Sequence, residues 1–150
     1  GRSFLCFAME ELLPADSSAS GGGLGPEISR RTTALLLALF ARSAEARKRV
    51  LAEVVNIFTE GRGVRPITAH LNVMQSLADV LYSVLTAKAS VTGAGAPQPL
   101  PELIRLMHDS KIVIAVCCAL DSVDLHHPIA HKVSTALLRP LEMLCGSVQA

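Results

Sequence analysis

The sequence predicts an all-α fold. Half of the 150 residues are hydrophobic, and they recur every three or four positions, which is the spacing of amphipathic helices. Only 3% of the residues are aromatic, so packing would depend mainly on small aliphatic side chains. Segments of roughly 10 to 20 residues, joined in pairs by short turns, favour a fragment of an armadillo- or HEAT-like helical solenoid. Because the spacing is irregular, an irregular helical bundle remains the alternative.

Two segments of low complexity divide the helical material. The first is rich in Ser and Gly and the second in Gly and Pro, and neither has enough apolar side chain to offset the entropy of ordering. The run GGGLG follows no predicted strand and lacks the Lys-Ser/Thr ending of a phosphate loop. We predict, in order, a truncated helix at 1–13, a linker at 14–27, helical repeats at 28–90, a linker at 91–100 and helical repeats at 101–146.

The first block of repeats is predicted to hold three helices. They run from Ile28 to about Arg42, from Glu45 to Thr59, and from Pro66 or Thr68 to about Lys88, with Gly61 and Gly63 ending the second. Ser43 is a suitable N-cap for the second helix, because its hydroxyl can accept an orphan backbone N–H. The expected packing stripes are Leu35, Leu36 and Leu39; Val50, Leu51, Val54 and Phe58; and Leu71, Met74, Ala78, Leu81 and Leu85.

The second block is also predicted to hold three helices. A short one runs from Pro101 through Met107, and another, capped by Asp109 or Ser110, runs to Ser122. The inward residues of this second helix are expected to be Ile112, Val113, Val116, Cys117 and Leu120. The last helix begins near Pro128, a residue suited to a first turn.

The last helix is predicted to be amphipathic and bent. Its apolar stripe is Ile129, Val133, Ala136, Leu137, Leu141 and Leu144. The opposite face carries His131, Lys132, Thr135, Arg139 and Glu142. Pro140 lies inside this pattern and is expected to bend or break the helix, because a proline there removes a backbone donor at a cost of about 3 kcal/mol.

The segment DLHHPIAHKVSTALLRPLEML resembles a part of the giant HECT-type E3 ubiquitin-protein ligases, a group with yeast, human and plant members. In that family an Asp-Leu-x-x-Pro entry leads to a helix that ends Leu-Lys-Pro-Leu-Glu. The matching positions are Asp124, Leu125, Pro128, Pro140, Leu141 and Glu142. Arg139 stands where the family has lysine, and His126 where it has asparagine or serine, so both departures keep a polar side chain.

The resemblance implies a non-catalytic segment. HECT ligases transfer ubiquitin through a thioester on a cysteine of a C-terminal catalytic domain, and nothing in these 150 residues resembles that domain. The chain would belong to the armadillo-like scaffold upstream of it. We therefore expect no catalytic, cofactor-binding or metal-binding residue here. The expected partners are protein substrates and neighbouring helical repeats of the parent ligase.

Composition argues against several other classes of function. A net charge of +1 and the scarcity of aromatic residues disfavour binding of nucleic acid. The longest apolar runs fall short of the roughly 18 residues that would span a bilayer. Four cysteines without CxxC spacing are expected to be reduced and buried. These features predict a cytoplasmic or nuclear protein.

Three patterns could indicate chemistry, but each has a simpler interpretation. His127 and His131 have the spacing of some zinc ligands, yet adjacent cysteines at Cys117 and Cys118 would point in different directions on a helix. Pairing Cys118 with His131 or with a second histidine, His108, would need an accessible thiolate, whereas the run IVIAVCCAL predicts that both thiols are buried.

The third pattern is the basic stretch RSAEARKR. Arg42, Glu45 and Arg49 are expected to share one helical surface, with possible ion pairing at short spacing. We interpret this surface as a solvated outer face. If it does bind a ligand, an acidic peptide fits better than duplex DNA, since no recognition-helix signature is present.

Two hypotheses of function remain. In the first, the chain is a scaffold or substrate-presenting segment of a HECT ligase; in the second, it is a stand-alone helical module that binds a partner helix in a groove. Because the helices at both chain ends carry apolar stripes, we also expect the isolated chain to expose apolar surface and to self-associate.

Overall fold

The computed structural model describes residues 4–13, 24–60, 67–87 and 101–146. None of these residues lies in a β-strand, so the predicted all-α class is confirmed. The first helix, α1 (Phe4–Phe7), continues into a π-helical turn (Ala8–Leu12). The remaining helices are α2 (Leu24–Arg42), α3 (Ala44–Glu60), α4 (Ile67–Ala87), α5 (Pro101–Asp109), α6 (Ile112–Ser122) and α7 (Ala130–Gly146).

Several predictions fall on other parts of the chain. Residues 14–23 of the first expected linker and the whole of the second, 91–100, lie outside the described residues, as do Gly61, Gly63, Pro66 and Lys88. The division of the chain into five parts therefore stays a prediction. At the edge of the first linker, α2 begins at Leu24, earlier than the expected Ile28.

The helices pack in a repeating order. α3 packs against α6, and α4 packs against α7. Both α3 and α4 therefore contact the helix that lies three places further along the chain. Within the described residues, α2, α3 and α4 contact one another, and α6 contacts both α5 and α7. The helices thus form two adjacent groups of three, which agree in number with the two predicted blocks. The N-terminal α1 and its π-helical turn pack on the first group.

A single hydrophobic core joins the two groups. The predicted stripe of α3, from Val50 to Phe58, is buried, and so is the stripe of α4 from Leu71 to Leu85. In α7 the core takes Val133, Ala136, Leu137 and Leu144. Each fully buried leucine of this kind stabilises the fold by about 1.5–3 kcal/mol relative to an exposed one.

The buried face of α2 differs from the prediction. Leu36 is buried, Leu39 is partly buried, and Leu35 is 44% exposed. The inward row is Thr32, Leu36 and Phe40, whose four-residue spacing follows one side of the helix. The Thr32 hydroxyl donates to the Ile28 carbonyl at 2.7 Å, which allows this polar side chain to be buried.

The junction between α5 and α6 also differs. Asp109 is the last residue of α5, and α6 has no side-chain cap from Asp109 or Ser110. Lys111 instead takes the left-handed conformation, with φ of 65°, and its carbonyl accepts the Ala115 N–H at 3.1 Å. A non-glycine residue in that conformation costs roughly 1–2 kcal/mol. The chain therefore reverses here through backbone geometry rather than through a cap.

The last helix is continuous through Pro140, which is buried within it. Pro140 therefore does not break the helix, and the alternative expectation, a bend at this residue, stays a prediction. Pro128 lies in the preceding turn, and the first carbonyl bonded in the helical pattern is that of Ile129, which accepts the Val133 N–H at 3.1 Å. Burial of the apolar stripe compensates for the backbone hydrogen bond that Pro140 cannot donate.

The apolar stripes at the two chain ends pack inward. Met9 and Leu13 near the N-terminus belong to the core, as do Val133 and Leu144 near the C-terminus. Large apolar side chains are nevertheless exposed, and two of them, Phe7 and Leu138, lie on these end helices. The others are Ile28, Leu35, Ile67, Ile114 and Leu125. Self-association itself stays a prediction.

Candidate binding groove

The candidate site is a polar groove between α4 and α7. The buried stripe of α4 leaves Asn72, Gln75 and Asp79 on a more open side of that helix. On α7, the predicted polar face is exposed at His131, Lys132, Thr135, Arg139 and Glu142. Because α4 packs directly on α7, polar side chains of the two helices meet along the seam.

Two adjoining cavities define this groove. The first, of about 340 Å³, is lined by Gln75, Asp79, His131, Lys132, Thr135, Ala136 and Arg139. The second, of about 250 Å³, is lined by Leu13, Ser29, Thr33, Asn72, Gln75, Ser76, Asp79, Val80 and Ser83. Since both cavities share Gln75 and Asp79, they form one depression that runs from α7 across α4 to α2. We refer to these lining residues as the α4–α7 groove.

Arg139 is held at the groove by an aromatic ring. Its guanidinium carbon lies 5.6 Å from the centroid of the Tyr82 ring, which is the geometry of a cation–π interaction. In the described part of the chain, the carboxylate ion pairs are those of Glu27 with Arg30 and Arg31, at 3.8 Å and 3.0 Å. Arg139 therefore has no carboxylate within ion-pair distance among these residues.

Asp79 lies on the opposite wall from Arg139. Partial burial of its carboxyl raises the pKa of Asp79 above the ordinary 3.8, while the positive charge of Arg139 acts in the opposite direction and lowers it. The residue as a whole is exposed, so the shift reflects local crowding of the carboxyl in the groove. Asp79 is the one carboxylate that lines either cavity of the groove.

Hydrogen-bonding groups line the α4 wall. The Ser76 hydroxyl donates to the Asn72 carbonyl at 2.9 Å and is thereby occupied. The side-chain amides of Asn72 and Gln75 make no hydrogen bond to any other residue that the structure describes. Each amide offers a carbonyl acceptor and an N–H₂ donor, so the wall can bind a ligand that presents both kinds of group.

The two histidines considered as metal ligands have different roles. His127 lies in the turn before α7, where its Nδ1 accepts the Ile129 N–H at 3.3 Å. Its ring proton is therefore on Nε2, which donates to the Thr68 hydroxyl at 3.0 Å and ties this turn to the start of α4. His131 lines the groove. Within the described ranges, no group of three or more His, Cys, Asp or Glu is placed to hold a metal ion.

The prediction that the cysteines are buried is wrong for Cys117, Cys118 and Cys145, which are exposed. Cys6 is partly buried. The buried side of α6 is formed by Ile112, Ala115, Val116 and Ala119, so residues 117 and 118 fall on the opposite side despite the apolar run. His108, the proposed partner of Cys118, places its Nε2 at 3.3 Å from the Leu144 carbonyl and so contacts the end of α7.

The basic stretch forms no local ion-pair network. Arg42, Glu45 and Arg49 make no ion pair with one another. Arg47 instead donates from Nε to the Phe40 carbonyl at 2.8 Å and satisfies an acceptor at the end of α2. The predicted N-cap is confirmed, since the Ser43 hydroxyl accepts the Ala46 N–H at 3.0 Å.

Apart from the α4–α7 groove, an apolar cavity lies between α1, α2 and α3. It has a volume of about 460 Å³, and its lining residues are Leu5, Ala8, Leu35, Leu36, Leu39, Ala46, Arg49, Val50, Ala52 and Glu53. The exposed Leu35, which does not join the core, contributes to this surface. Most of its lining residues are apolar.

In the described residues, no helix combines the length and the hydrophobicity that crossing a membrane would require. This finding agrees with the short apolar runs of the sequence.

Comparison with known proteins finds this chain similar to two E3 ubiquitin-protein ligases, which agrees with the resemblance noted at residues 124–144. It is 28% identical to E3 ubiquitin-protein ligase UPL1 of Arabidopsis thaliana and 25% identical to UPL2 of the same plant. Each similarity covers 92% of this chain but only 4% of the relative, so the chain spans a small part of their length. No family model and no solved structure matches the chain.

Proposed function

We propose that this chain is a non-catalytic scaffold or substrate-presenting segment of a HECT-type E3 ubiquitin ligase. The observation that carries the proposal is the similarity to two plant ligases along 92% of the chain, far beyond the short segment around Pro128. Transfer of ubiquitin would be performed by a catalytic domain elsewhere in the parent chain.

The packing of the helices supports a scaffold role. Contacts of α3 with α6 and of α4 with α7 repeat one relationship along the chain. Further groups of three helices could continue this order, as happens in a solenoid of armadillo type. The proposed partners are neighbouring helical repeats of the parent ligase and protein substrates. The proposed location is the cytoplasm or the nucleus, where cysteine thiols remain reduced.

The test separates scaffolding from catalysis. In the parent ligase, residues 1–150 are replaced by a flexible linker, and two reactions are measured: formation of the ubiquitin thioester on the ligase and transfer of ubiquitin to a substrate. We expect thioester formation to persist and transfer to the substrate to fall. Unchanged transfer to every substrate tested would contradict the proposal.

A stand-alone interaction module is the second candidate. The apolar cavity beside Leu35, with Arg49 and Glu53 among its lining residues, suits the apolar face of a partner's amphipathic helix. Sequencing the transcript downstream of Ala150 distinguishes the two candidates. A reading frame that continues to a HECT domain supports the ligase, whereas a stop codon soon after Ala150 supports the module.

A further inference from the structure

The α4–α7 groove carries more positive than negative charge. Lys132 and Arg139 line the α7 wall, and Asp79 is the only carboxylate on the lining of either cavity. Arg139 is positioned by the Tyr82 ring rather than neutralised by a carboxylate within ion-pair distance. A guanidinium held in this way keeps its N–H donors available for an incoming anion.

The spacing of the two cations sets the length of ligand that can reach both. Lys132 and Arg139 are two helical turns apart, so they lie on the same side of α7 and about 10 Å from each other along its axis. In an extended chain every second side chain faces the same side, so two carboxylates of an acidic run that face α7 lie about 7 Å apart. The long side chains of Lys132 and Arg139 cover the remaining difference, so a short run of acidic residues can contact both cations.

The opposite wall is suited to the backbone of such a segment. The amides of Asn72 and Gln75 are not bonded to other described residues and lie three positions apart on α4. They can donate to backbone carbonyls and accept from backbone N–H groups of an extended peptide. Such contacts fix the position of the peptide, while its acidic side chains reach the α7 wall.

We infer that the α4–α7 groove binds an extended acidic segment of a partner protein, with Lys132 and Arg139 contacting its carboxylates and Asn72 and Gln75 contacting its backbone. The inference rests on the proposed function in one respect, because it names the chemistry of the substrates that the scaffold would present. Asp79 is then a repulsive neighbour that limits affinity for fully acidic ligands.

The test uses the 150-residue protein and a fluorescent peptide with four consecutive glutamates, compared with a peptide carrying four glutamines. Fluorescence anisotropy is expected to show tighter binding of the glutamate peptide and weakening as salt is raised. Lys132→Gln and Arg139→Gln should each weaken binding by about five- to tenfold. Lys48→Gln, which removes an exposed cation of α3 outside the groove, is the matched control and should leave binding unchanged.

The variant Asp79→Asn distinguishes a groove that prefers acidic peptides from one that prefers basic peptides. Removing this carboxylate should strengthen binding of the glutamate peptide, whereas a groove that preferred basic peptides would lose affinity. Circular dichroism confirms that each variant is folded. Because the Lys132 side chain is exposed and has no bonded partner among the described residues, Lys132→Glu offers a charge reversal that does not disturb packing.

The inference is overturned if the glutamate peptide binds no better than the glutamine peptide. It is also overturned if Lys48→Gln weakens binding as much as Lys132→Gln. If the glutamate peptide binds but the transcript encodes no HECT domain, the proposed function is wrong and the inference about the groove stands. If ubiquitin transfer to a substrate requires this segment but the glutamate peptide does not bind, the inference is wrong and the proposed function stands.

Discussion

Arg139 of α7 lies above the ring of Tyr82 of α4, with 5.6 Å between its guanidinium carbon and the ring centroid. The contact joins two helices that belong to different groups of three. Arginine favours this stacked arrangement, because its planar guanidinium can lie over an aromatic face.

We predict that this contact contributes measurably to stability. In a double-mutant cycle with Arg139→Gln and Tyr82→Leu, the coupling free energy should be about 0.5–1 kcal/mol. Urea denaturation of the four proteins measures it. Strictly additive effects of the two substitutions would show that the stacking contributes nothing.

The second prediction concerns the start of α3. Ser43→Ala removes the oxygen that accepts the Ala46 N–H, so the free energy of unfolding should fall by about 1 kcal/mol. Ser43→Thr keeps a capping hydroxyl and serves as the matched control. Equal stability of the alanine and serine proteins in thermal unfolding would disprove the role of this cap.

Two adjacent leucines of α7 provide the third prediction. Leu137 is fully buried and Leu138 is 49% exposed. Leu137→Ala should destabilise the protein by about 2–5 kcal/mol, because it leaves a cavity in the core. Leu138→Ala, with the same change in chemistry, should shift stability by no more than about 0.5 kcal/mol. Comparable losses in both variants, measured with urea, would contradict the orientation of α7.

The fourth prediction concerns pH. Because burial raises the pKa of Asp79 in the folded state above the ordinary 3.8, the folded protein binds this proton more tightly than the unfolded chain does. The resulting stabilisation is full below pH 3.8 and is lost as the pH rises through the raised pKa. Asp79→Asn should therefore gain stability relative to the original protein as the pH is raised from about 3 to about 7.

Measuring the urea midpoint of both proteins across this range checks the trend, and the comparison cancels groups that titrate alike in both. Parallel curves would be the contrary result. The carboxyl of Asp79 can also be followed directly by NMR. In Arg139→Gln its pKa should rise further, because the positive charge that lowers it has been removed.

The fifth prediction concerns the thiols. In the folded protein, Cys117, Cys118 and Cys145 are exposed, whereas Cys6 is partly buried and lies 3.3 Å from a Glu10 carboxylate oxygen. A thiol reagent should modify the first three rapidly and Cys6 more slowly. Mass spectrometry after brief labelling identifies the sites. Protection of Cys117 and Cys118 until unfolding would restore the sequence-based prediction that they are buried.

Helical periodicity predicted much of the fold but little of the groove. The stripes of α3 and α4 and the cap at Ser43 were read correctly, because each depends on residues close together in the chain. Leu35 and Cys117 were misplaced, since in an apolar run the buried side is chosen by the neighbouring helices. The meeting of Asp79 with Arg139 depends on how α4 and α7 pack, which no local pattern records.

The pairing of α4 with α7 also determines when α4 can complete its packing during synthesis. A ribosome that adds about 5–20 residues per second needs several seconds to pass from the end of α4 to the end of α7. During that interval the side of α4 that α7 will cover has no contact with α7. We therefore expect this side to become protected from solvent only after the final helix has emerged.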